Sequence, residues 1–187
     1  MVINRLIDYW MKGEWPEVFE IAVKLRKGVE LTPIEEEWIN ELSRATGWSR
    51  EDIVEDLKHL VDDPIERVGR YRSLFEKYFN EASKMKGKGD TLQAAEKIWG
   101  AITALIKLYA ALKGVVVIHW SRKKLDIFIT NNVETRHKRL FRDLLDRGRV
   151  MHEYFYEAIL DPETFEERWN ELIELVKKAE KIVFAHM

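Results

Sequence analysis

The chain has 187 residues, a net charge of −2, 34% charged side chains and no cysteine. The absence of cysteine excludes disulfides, zinc–thiolate sites and a cysteine nucleophile, and with an N-terminus unlike a signal peptide it favours a cytoplasmic location. A single glutamine beside so many charged residues is typical of proteins from hot-growing organisms, so we expect a thermophilic source.

Residues 1–63 are predicted to form an N-terminal region of four short helices packed on the rest of the chain. The third helix begins at a capping box of Thr32 and Glu35, with Pro33 at its first position. The fourth begins at Ser49, whose hydroxyl can cap it. The expected inward faces are Ile3, Leu6, Ile7 and Trp10; Val18, Phe19, Ala22 and Leu25; Ile34, Trp38, Leu42 and Ala45; and Ile53, Leu57, Leu60 and Val61.

The third and fourth helices are joined by a short glycine turn, residues 45–48, which is typical of a helix-turn-helix. The second helix of such a motif must face DNA phosphates, but here it carries Glu51, Asp52, Glu55 and Asp56. Because these carboxylates would repel DNA, we interpret the turn as structural packing.

Residues 64–187 are predicted to form four long helices, so that the fold class is all-α and the architecture an antiparallel four-helix bundle. Ser121 is expected to cap a short additional helix through Leu125 and Phe128. Apolar residues recur every three or four positions along the long helices. The expected seams are Val68, Tyr71, Phe75, Tyr78, Ala82 and Met85 in the first; Phe141, Leu144, Gly148, Met151, Phe155 and Ala158 in the third, over residues 134–160; and Phe165, Trp169, Leu172, Val176, Ala179 and Val183 in the fourth.

The second long helix, capped by Asp90 with Gln93 in a capping box, is apolar on two sides. A helix of this kind must be covered on both sides, so we expect the N-terminal helices or a second subunit to cover the outer side. The two stripes are Leu92, Ala95, Trp99, Ile102, Ile106 and Tyr109, and Ile98, Ala101, Leu105, Leu108 and Leu112.

The same helix contains the only stretch long and apolar enough to suggest a membrane span, residues 98–118. Lys107 lies near the middle of this stretch, where insertion of a lysine costs about 2.5–3.5 kcal/mol. Gly114 also interrupts the stretch. We therefore expect no membrane span and no membrane partner.

Residues 113–149 form a local basic region, with ten basic and four acidic side chains. Such a region in a nearly neutral protein is compatible with a polyanionic partner and also with an ordinary solvated face. Composition alone favours the solvated face.

Two segments resemble a known family: GDTLQAAEKIWGAITALIK, which begins at Gly89, and MHEYFYE, which begins at Met151. They are similar to the archaeal PaREP group of helical proteins, which belongs with the wider HEPN superfamily, over roughly residues 65–184. The resemblance implies a HEPN-like helical fold and functions that include ribonucleases, toxins and non-catalytic partners of nucleotidyltransferases. The matched positions are Gly89, Asp90, Gln93, Glu96, Lys97, Trp99, His152, Phe155, Tyr156 and Glu157.

Residues 147–154 resemble the motif of catalytic HEPN ribonucleases, in which an arginine precedes a histidine by a few residues. Arg147 and His152 have this spacing and Tyr154 matches the tail of the motif, but Gly148 replaces the polar residue that commonly follows the arginine. In metal-independent RNA cleavage, a histidine takes the proton of the 2′-hydroxyl and an arginine binds the charge that grows on the phosphate.

The helical positions of these two residues do not favour a shared site. Residues five apart lie roughly 140° apart around a regular helix, so one phosphate cannot reach both. A distorted helix near Gly148 or a second subunit would bring them together. Arg149 and His152, three residues apart, share a face and form an alternative pair. The plain structural interpretation of His152 is a partly buried, hydrogen-bonded histidine beside Tyr154 and its aromatic neighbours.

No cofactor or metal ion is expected. A di-iron bundle needs two Glu-x-x-His pairs, and Glu134 with His137 is the single such pair in the predicted bundle.

Three hypotheses about the function of the chain remain open. The first is a binding or scaffold module that forms a homodimer or larger homo-oligomer, or that works with an RNA-handling or nucleotidyltransferase partner. The second is the ribonuclease, and the third is a small-ligand pocket between the helices, formed by Trp99, Tyr109, Trp120 and Tyr154.

Overall fold

The computed structural model describes residues 16–60, 62–117 and 122–187, and within these ranges the protein is all-α and has no strand. The predicted fold class is thereby confirmed. The predicted first helix, with Ile3, Leu6, Ile7 and Trp10, lies outside the described residues. The same holds for Val61, Trp120 and the expected cap Ser121.

The described residues form eight α-helices and one 3₁₀ helix. In chain order the α-helices are α1 Pro16–Lys27, α2 Pro33–Thr46, α3 Arg50–Lys58, α4 Val68–Gly87, α5 Thr91–Leu112, α6 Arg122–Asn132, α7 Thr135–Glu157 and α8 Pro162–Phe184, and the 3₁₀ helix Pro64–Arg67 precedes α4.

The predicted capping box at the start of α2 is present. The backbone N–H of Glu35 donates to the Thr32 hydroxyl, and the backbone N–H of Thr32 donates to Glu35 Oε2 over 2.8 Å. Lys24 of α1 also donates to Glu35, over 2.6 Å. The bond from Lys24, together with those from Thr32, lowers the pKa of Glu35 to about 2. One carboxylate therefore both begins α2 and ties it to α1.

The four long helices pack around α5. Helices α4, α7 and α8 all contact α5, and α7 also contacts α8. Between α4 and α8, the rings of Phe75 and Phe184 lie 6.1 Å apart, and Lys86 pairs with Glu166 over 2.5 Å. These contacts are compatible with the predicted antiparallel four-helix bundle. All six predicted seam residues of α8 are buried, as are four of the six in α4.

Helix α5 has no solvent-facing side over most of its length, because every residue from 98 to 111 is buried. Leu92, which we expected on one of the apolar stripes, is instead exposed in the first turn. No helix in the described part of the chain is both long and apolar enough to cross a membrane.

The turn between α2 and α3 packs against one side of α5. The indole N–H of Trp48 donates to the backbone oxygen of Gly100 over 2.8 Å, and the Thr103 hydroxyl donates to the backbone oxygen of Thr46 over 3.0 Å. Both bonds are buried. The N-terminal helices therefore cover part of the second side of α5, as the two apolar stripes led us to expect.

A buried ion pair lies in the same contact. Lys107 Nζ of α5 donates to Asp56 Oδ2 of α3 over 2.6 Å, and both side chains are about 5% exposed. The Lys107 ammonium also lies 4.7 Å from the ring centre of Trp48. Burial raises the pKa of Asp56, but the positive charges of Lys107 and Arg67 outweigh it and hold the pKa below its usual value.

Further predictions of inward residues were wrong. Ile34, which we expected to face inward on α2, is 65% exposed. We expected Phe155 and Ala158 to face inward on α7, but Phe155 is half-buried and Ala158 is exposed. Tyr154 takes the inward place instead. The helix ends at Glu157, and Ala158 adopts a left-handed conformation with φ of 50°, so the expected periodicity does not extend to it.

Substitution of Gly47 tests the close approach of the N-terminal helices to α5. Gly47 has φ of 70°, and a Cβ there would lie 2.9 Å from the backbone oxygen of Glu96, whereas a Cβ at Gly28, with φ of 67°, would meet no atom within 4 Å. We expect Gly28→Ala to cost about 1–2 kcal/mol of unfolding free energy from backbone strain alone. Gly47→Ala should cost about 1–3 kcal/mol more, because backbone atoms must move apart. Urea unfolding measures both, and equal losses would contradict the close approach.

We expect Asp56→Asn to lower the free energy of unfolding more than Lys107→Met does. Asp56→Asn leaves two buried cations, Lys107 and Arg67, without their anion, so we expect a loss of at least about 3–5 kcal/mol of unfolding free energy. Lys107→Met leaves Asp56 with Arg67 still beside it and should cost less. Chemical denaturation at neutral pH gives the comparison. A larger loss for Lys107→Met would mean that Arg67 contributes nothing to Asp56.

Candidate functional site

Helix α7, which carries the predicted site residues, is a continuous α-helix through Gly148. A Cβ at Gly148 would lie 2.7 Å from Ile102 Cδ1 and 3.0 Å from Trp99 Cε3, both on α5. The glycine therefore permits close packing of α7 on α5. This packing accounts for the absence of a polar residue after Arg147, and the helix has no distortion that would turn Arg147 toward His152.

Arg147 faces α8 rather than α5. Its guanidinium pairs with the Glu171 carboxylate of α8, and both side chains are nearly half exposed. Arg149 is similarly exposed and pairs with Glu153 one turn later on α7, over 3.4 Å. Neither arginine has a contact with His152 among the described residues.

His152 faces α5 and is one-fifth exposed. Its Nδ1 lies 2.8 Å from Glu96 Oε2, and its ring stacks on the indole of Trp99 with ring centres 5.4 Å apart. The rings of His152 and Tyr156 are nearly perpendicular, with centres 5.2 Å apart. Because a carboxylate can only accept, the neutral imidazole donates from Nδ1 and leaves Nε2 as an acceptor. In the described part of the chain, Nε2 has no hydrogen-bond partner.

Tyr154, the predicted supporting residue, lies on a different side of α7. Its side chain is 7% exposed, and its hydroxyl lies 2.9 Å from the Thr91 hydroxyl at the start of α5. Its ring lies 5.2 Å from that of Phe165 on α8. Tyr154 is thus part of the core, where it holds the end of α7 against α5 and α8.

The structure therefore gives each of the four predicted site residues a different set of partners. His152 is joined instead by Glu96, Trp99 and Tyr156, which were not among the predicted site residues. No local pattern in the sequence connects Glu96 to a histidine 56 residues away. Only the packing of α7 on α5 brings the two together.

The first turns of α7 form a second candidate surface, a cationic face defined by Arg136, Lys138, Arg139 and Arg142. No acidic residue occurs among residues 135–142. The three arginines are exposed, Arg139 to 94% at its side chain. Arg139 lies 3.8 Å from Asp143, and no carboxylate of the described residues lies within 4 Å of the other three cations. This face retains most of its positive charge.

Glu134, which we considered as half of a metal motif, has other partners. Its carboxylate accepts from Lys113 over 2.7 Å and from the Tyr109 hydroxyl over 2.6 Å. These two bonds, with the one from Lys113 first, hold the pKa of Glu134 far below its usual value. Among the described residues, no group of three or more potential ligands is arranged to hold a metal ion.

The aromatic residues of the ligand-pocket hypothesis do not lie together. Trp99 and Tyr109 are buried ten residues apart on α5, about 15 Å along its axis. Tyr154 is buried at the first turn of α5 against Thr91, and Trp120 lies outside the described residues. The three described side chains therefore occupy separate parts of the core.

The fold and site define an all-α protein in which α7 presents on one side a histidine that is paired with a carboxylate of α5, and on another side a cationic face. The sequence profile of the archaeal PaREP1/PaREP8 family matches residues 70–176. The chain belongs to this family, as the resemblance of its segments implied. The match includes α5, α6 and α7 with His152 and Glu96, but not α1–α3. Comparisons with curated proteins and with solved structures give no match.

Proposed function

We propose that this chain is an RNA-binding helical module of the HEPN-like type, which acts as a homo-oligomer or beside a nucleotide- or RNA-handling partner. The observation that carries the proposal is the cationic face of α7. Exposed arginines usually have carboxylates nearby in a chain this rich in acidic residues, and three of these four cations have none among the described residues. Guanidinium groups bind phosphate oxygens through paired, charge-assisted hydrogen bonds.

The charge distribution of the whole chain supports a polyanion at this face. Residues 1–62 have 8 basic and 14 acidic side chains, so their helices would repel a nucleic acid. Helix α7 lies in the part of the chain where basic residues are in excess. A polyanion would therefore be steered toward α7 and away from the N-terminal helices.

The homo-oligomeric form is supported by two apolar side chains near the end of α7. Tyr156 and Ile159, three residues apart, are 53% and 54% exposed. Tyr156 also contacts His152. A second copy at this end would cover the two side chains and lie directly beside the histidine.

Removal of the cationic face should weaken RNA binding in a salt-dependent way. The triple variant Arg136→Gln, Arg139→Gln, Arg142→Gln loses three phosphate contacts. The slope of log Kobs against log salt concentration should then fall in magnitude by about 2, at about 0.7 per contact with single-stranded RNA. Fluorescence anisotropy with a labelled single-stranded RNA measures this slope.

The matched control removes the same charge from a different helix. Lys177, Lys178 and Lys181 are exposed on α8, and their triple substitution by glutamine should leave the slope unchanged. Equal effects of the two triple variants would show that binding follows net charge and not the face of α7. The proposal fails outright if the unmodified chain does not bind RNA at low salt.

A second candidate function is metal-independent RNA cleavage with His152 as the general base. The Glu96–His152 pair favours it, because a carboxylate that accepts from Nδ1–H orients the ring and leaves Nε2 to accept a proton. The proposed step transfers the 2′-hydroxyl proton to Nε2 while the 2′-oxygen bonds to phosphorus. The bond from phosphorus to the 5′-oxygen breaks, and this oxygen takes a proton from water. The products are a 2′,3′-cyclic phosphate and a 5′-hydroxyl.

This candidate predicts a large effect of His152→Ala. Loss of a general base should lower the cleavage rate by about 10²–10⁴-fold. The matched control is His137→Ala, at a histidine near the start of the same helix, which should cleave as fast as the unmodified protein. Gel analysis of a labelled RNA, with detection of the cyclic phosphate end, measures both. Absence of cleavage by the unmodified protein, or equal rates with His152→Ala, would end the ribonuclease hypothesis.

A further inference from the structure

His152 and Arg147 engage different neighbouring helices, so Arg147 does not supply a cation to the histidine of its own chain. Arg147 pairs with Glu171 on α8, and His152 pairs with Glu96 on α5. On an undistorted helix the two positions point about 140° apart. Arg149, three residues before His152, is engaged by a carboxylate one turn later on the same helix, over 3.4 Å. Since both arginines are paired to carboxylates, we consider residues outside α7 as the source of the positive charge that an anionic group at His152 Nε2 needs.

The last turn of α2 reaches the side of α7 on which His152 lies. The backbone oxygen of Ala45 accepts from the indole N–H of Trp99 over 2.9 Å, and the ring of Trp99 stacks on His152. Gly47 lies directly against the backbone of Glu96. The chain from residue 44 to residue 47 thus runs along the part of α5 that carries both partners of the histidine.

Arg44 stands at this place, one residue before Ala45, with its side chain 56% exposed. It pairs with the exposed carboxylate of Glu37, and its Nε donates to the backbone oxygen of Asn40 over 3.4 Å. The pKa of Tyr156 is raised by burial and by the Glu96 carboxylate, while the positive charge of Arg44 acts in the opposite direction. The positive charge of Arg44 therefore acts on Tyr156, whose ring packs against His152.

We propose that Arg44 of α2, rather than Arg147, supplies the cation that holds an RNA phosphodiester beside His152. The proposal rests on the proposed function in its substrate class, RNA, and it makes the N-terminal helices part of the binding site. Arg44 lies outside the residues that the family profile matches, 70–176. The site is thus completed by a region that is not part of the family core.

The ion pair of Arg44 with Glu37, which a bound phosphodiester would have to displace, is weak. Glu37 and Arg44 are each more than half exposed, and exposed ion pairs of this kind contribute little. A phosphodiester can take the place of Glu37 and accept two parallel hydrogen bonds from the planar guanidinium. Glu96 is bonded to Nδ1 of His152 and is only 12% exposed, so the imidazole ring lies between its carboxylate and a ligand at Nε2.

The test follows the imidazole of His152 directly. The full chain, labelled with ¹⁵N-histidine, is titrated with 2′-O-methyl uridylyl-uridine, a dinucleotide with one phosphodiester that cannot be cleaved. His152→Asn assigns the resonance among the five histidines of the chain. The midpoint of the shift gives the affinity at this site.

We expect Arg44→Gln to weaken dinucleotide binding at His152 by roughly tenfold or more, the effect of losing a hydrogen bond to a charged group. Arg147→Gln is the matched control and should change the midpoint less than about twofold, because it removes only an exposed pair on α8. Arg44→Lys should retain more affinity than Arg44→Gln. Glu37→Gln should tighten binding by up to about fivefold, since it frees the guanidinium.

Three results would overturn the proposal: no shift of His152 at millimolar dinucleotide, equal midpoints for Arg44→Gln and the unmodified chain, or a larger loss for Arg147→Gln. A thermal unfolding curve for each variant checks that it is folded. Binding of the longer single-stranded RNA, measured in parallel, depends on the cationic face of α7. Its loss in the α7 triple variant, with His152 still responding to the dinucleotide, separates the two proposals.

Discussion

The structure depends on helix α5, which exposes no side to solvent over most of its length. Every residue of α5 from 98 to 111 is buried, so its neighbours must approach it from all directions. Glycines make three of these approaches possible. Gly100 would place a Cβ 3.0 Å from Tyr78 on α4 and from the backbone of Gly47, and Gly148 would place one 2.7 Å from Ile102. Helices α4 and α7 and the α2–α3 turn can therefore lie directly against α5.

This central position buries polar groups of α5, and several of them are satisfied by buried bonds to the N-terminal helices. Trp48, Thr103 and the Lys107–Asp56 pair each contribute one. Such bonds have a strict geometry, and a buried charge without its partner is costly. They hold α2 and α3 in one orientation on α5, and this orientation brings Arg44 near His152.

Helix α7 shows how one amphipathic helix can combine stability and recognition. Its inner side is held by Gly148, Met151 and Tyr154, and its first turns present arginines to solvent. Between these sides lies His152, stacked on Trp99 and bound to Glu96. The polar pair is formed between helices, so its position depends on the same packing that buries α5. Under our proposal, the cation beside this pair is Arg44, which lies outside the residues that the family profile matches.

The amino-acid sequence by itself determined the all-α class, the caps at Thr32, Ser49 and Asp90, the inward face of α8 and the family. These features depend on residues within one or two helical turns, where spacing decides which side chains meet. Sequence spacing also indicated that Arg147 and His152 point apart. It could not assign Glu96 to His152 or Lys107 to Asp56, because these partners are more than 50 residues apart. Only the packing of helices on α5 decided those pairs, since it determines which faces of distant segments come within hydrogen-bond distance.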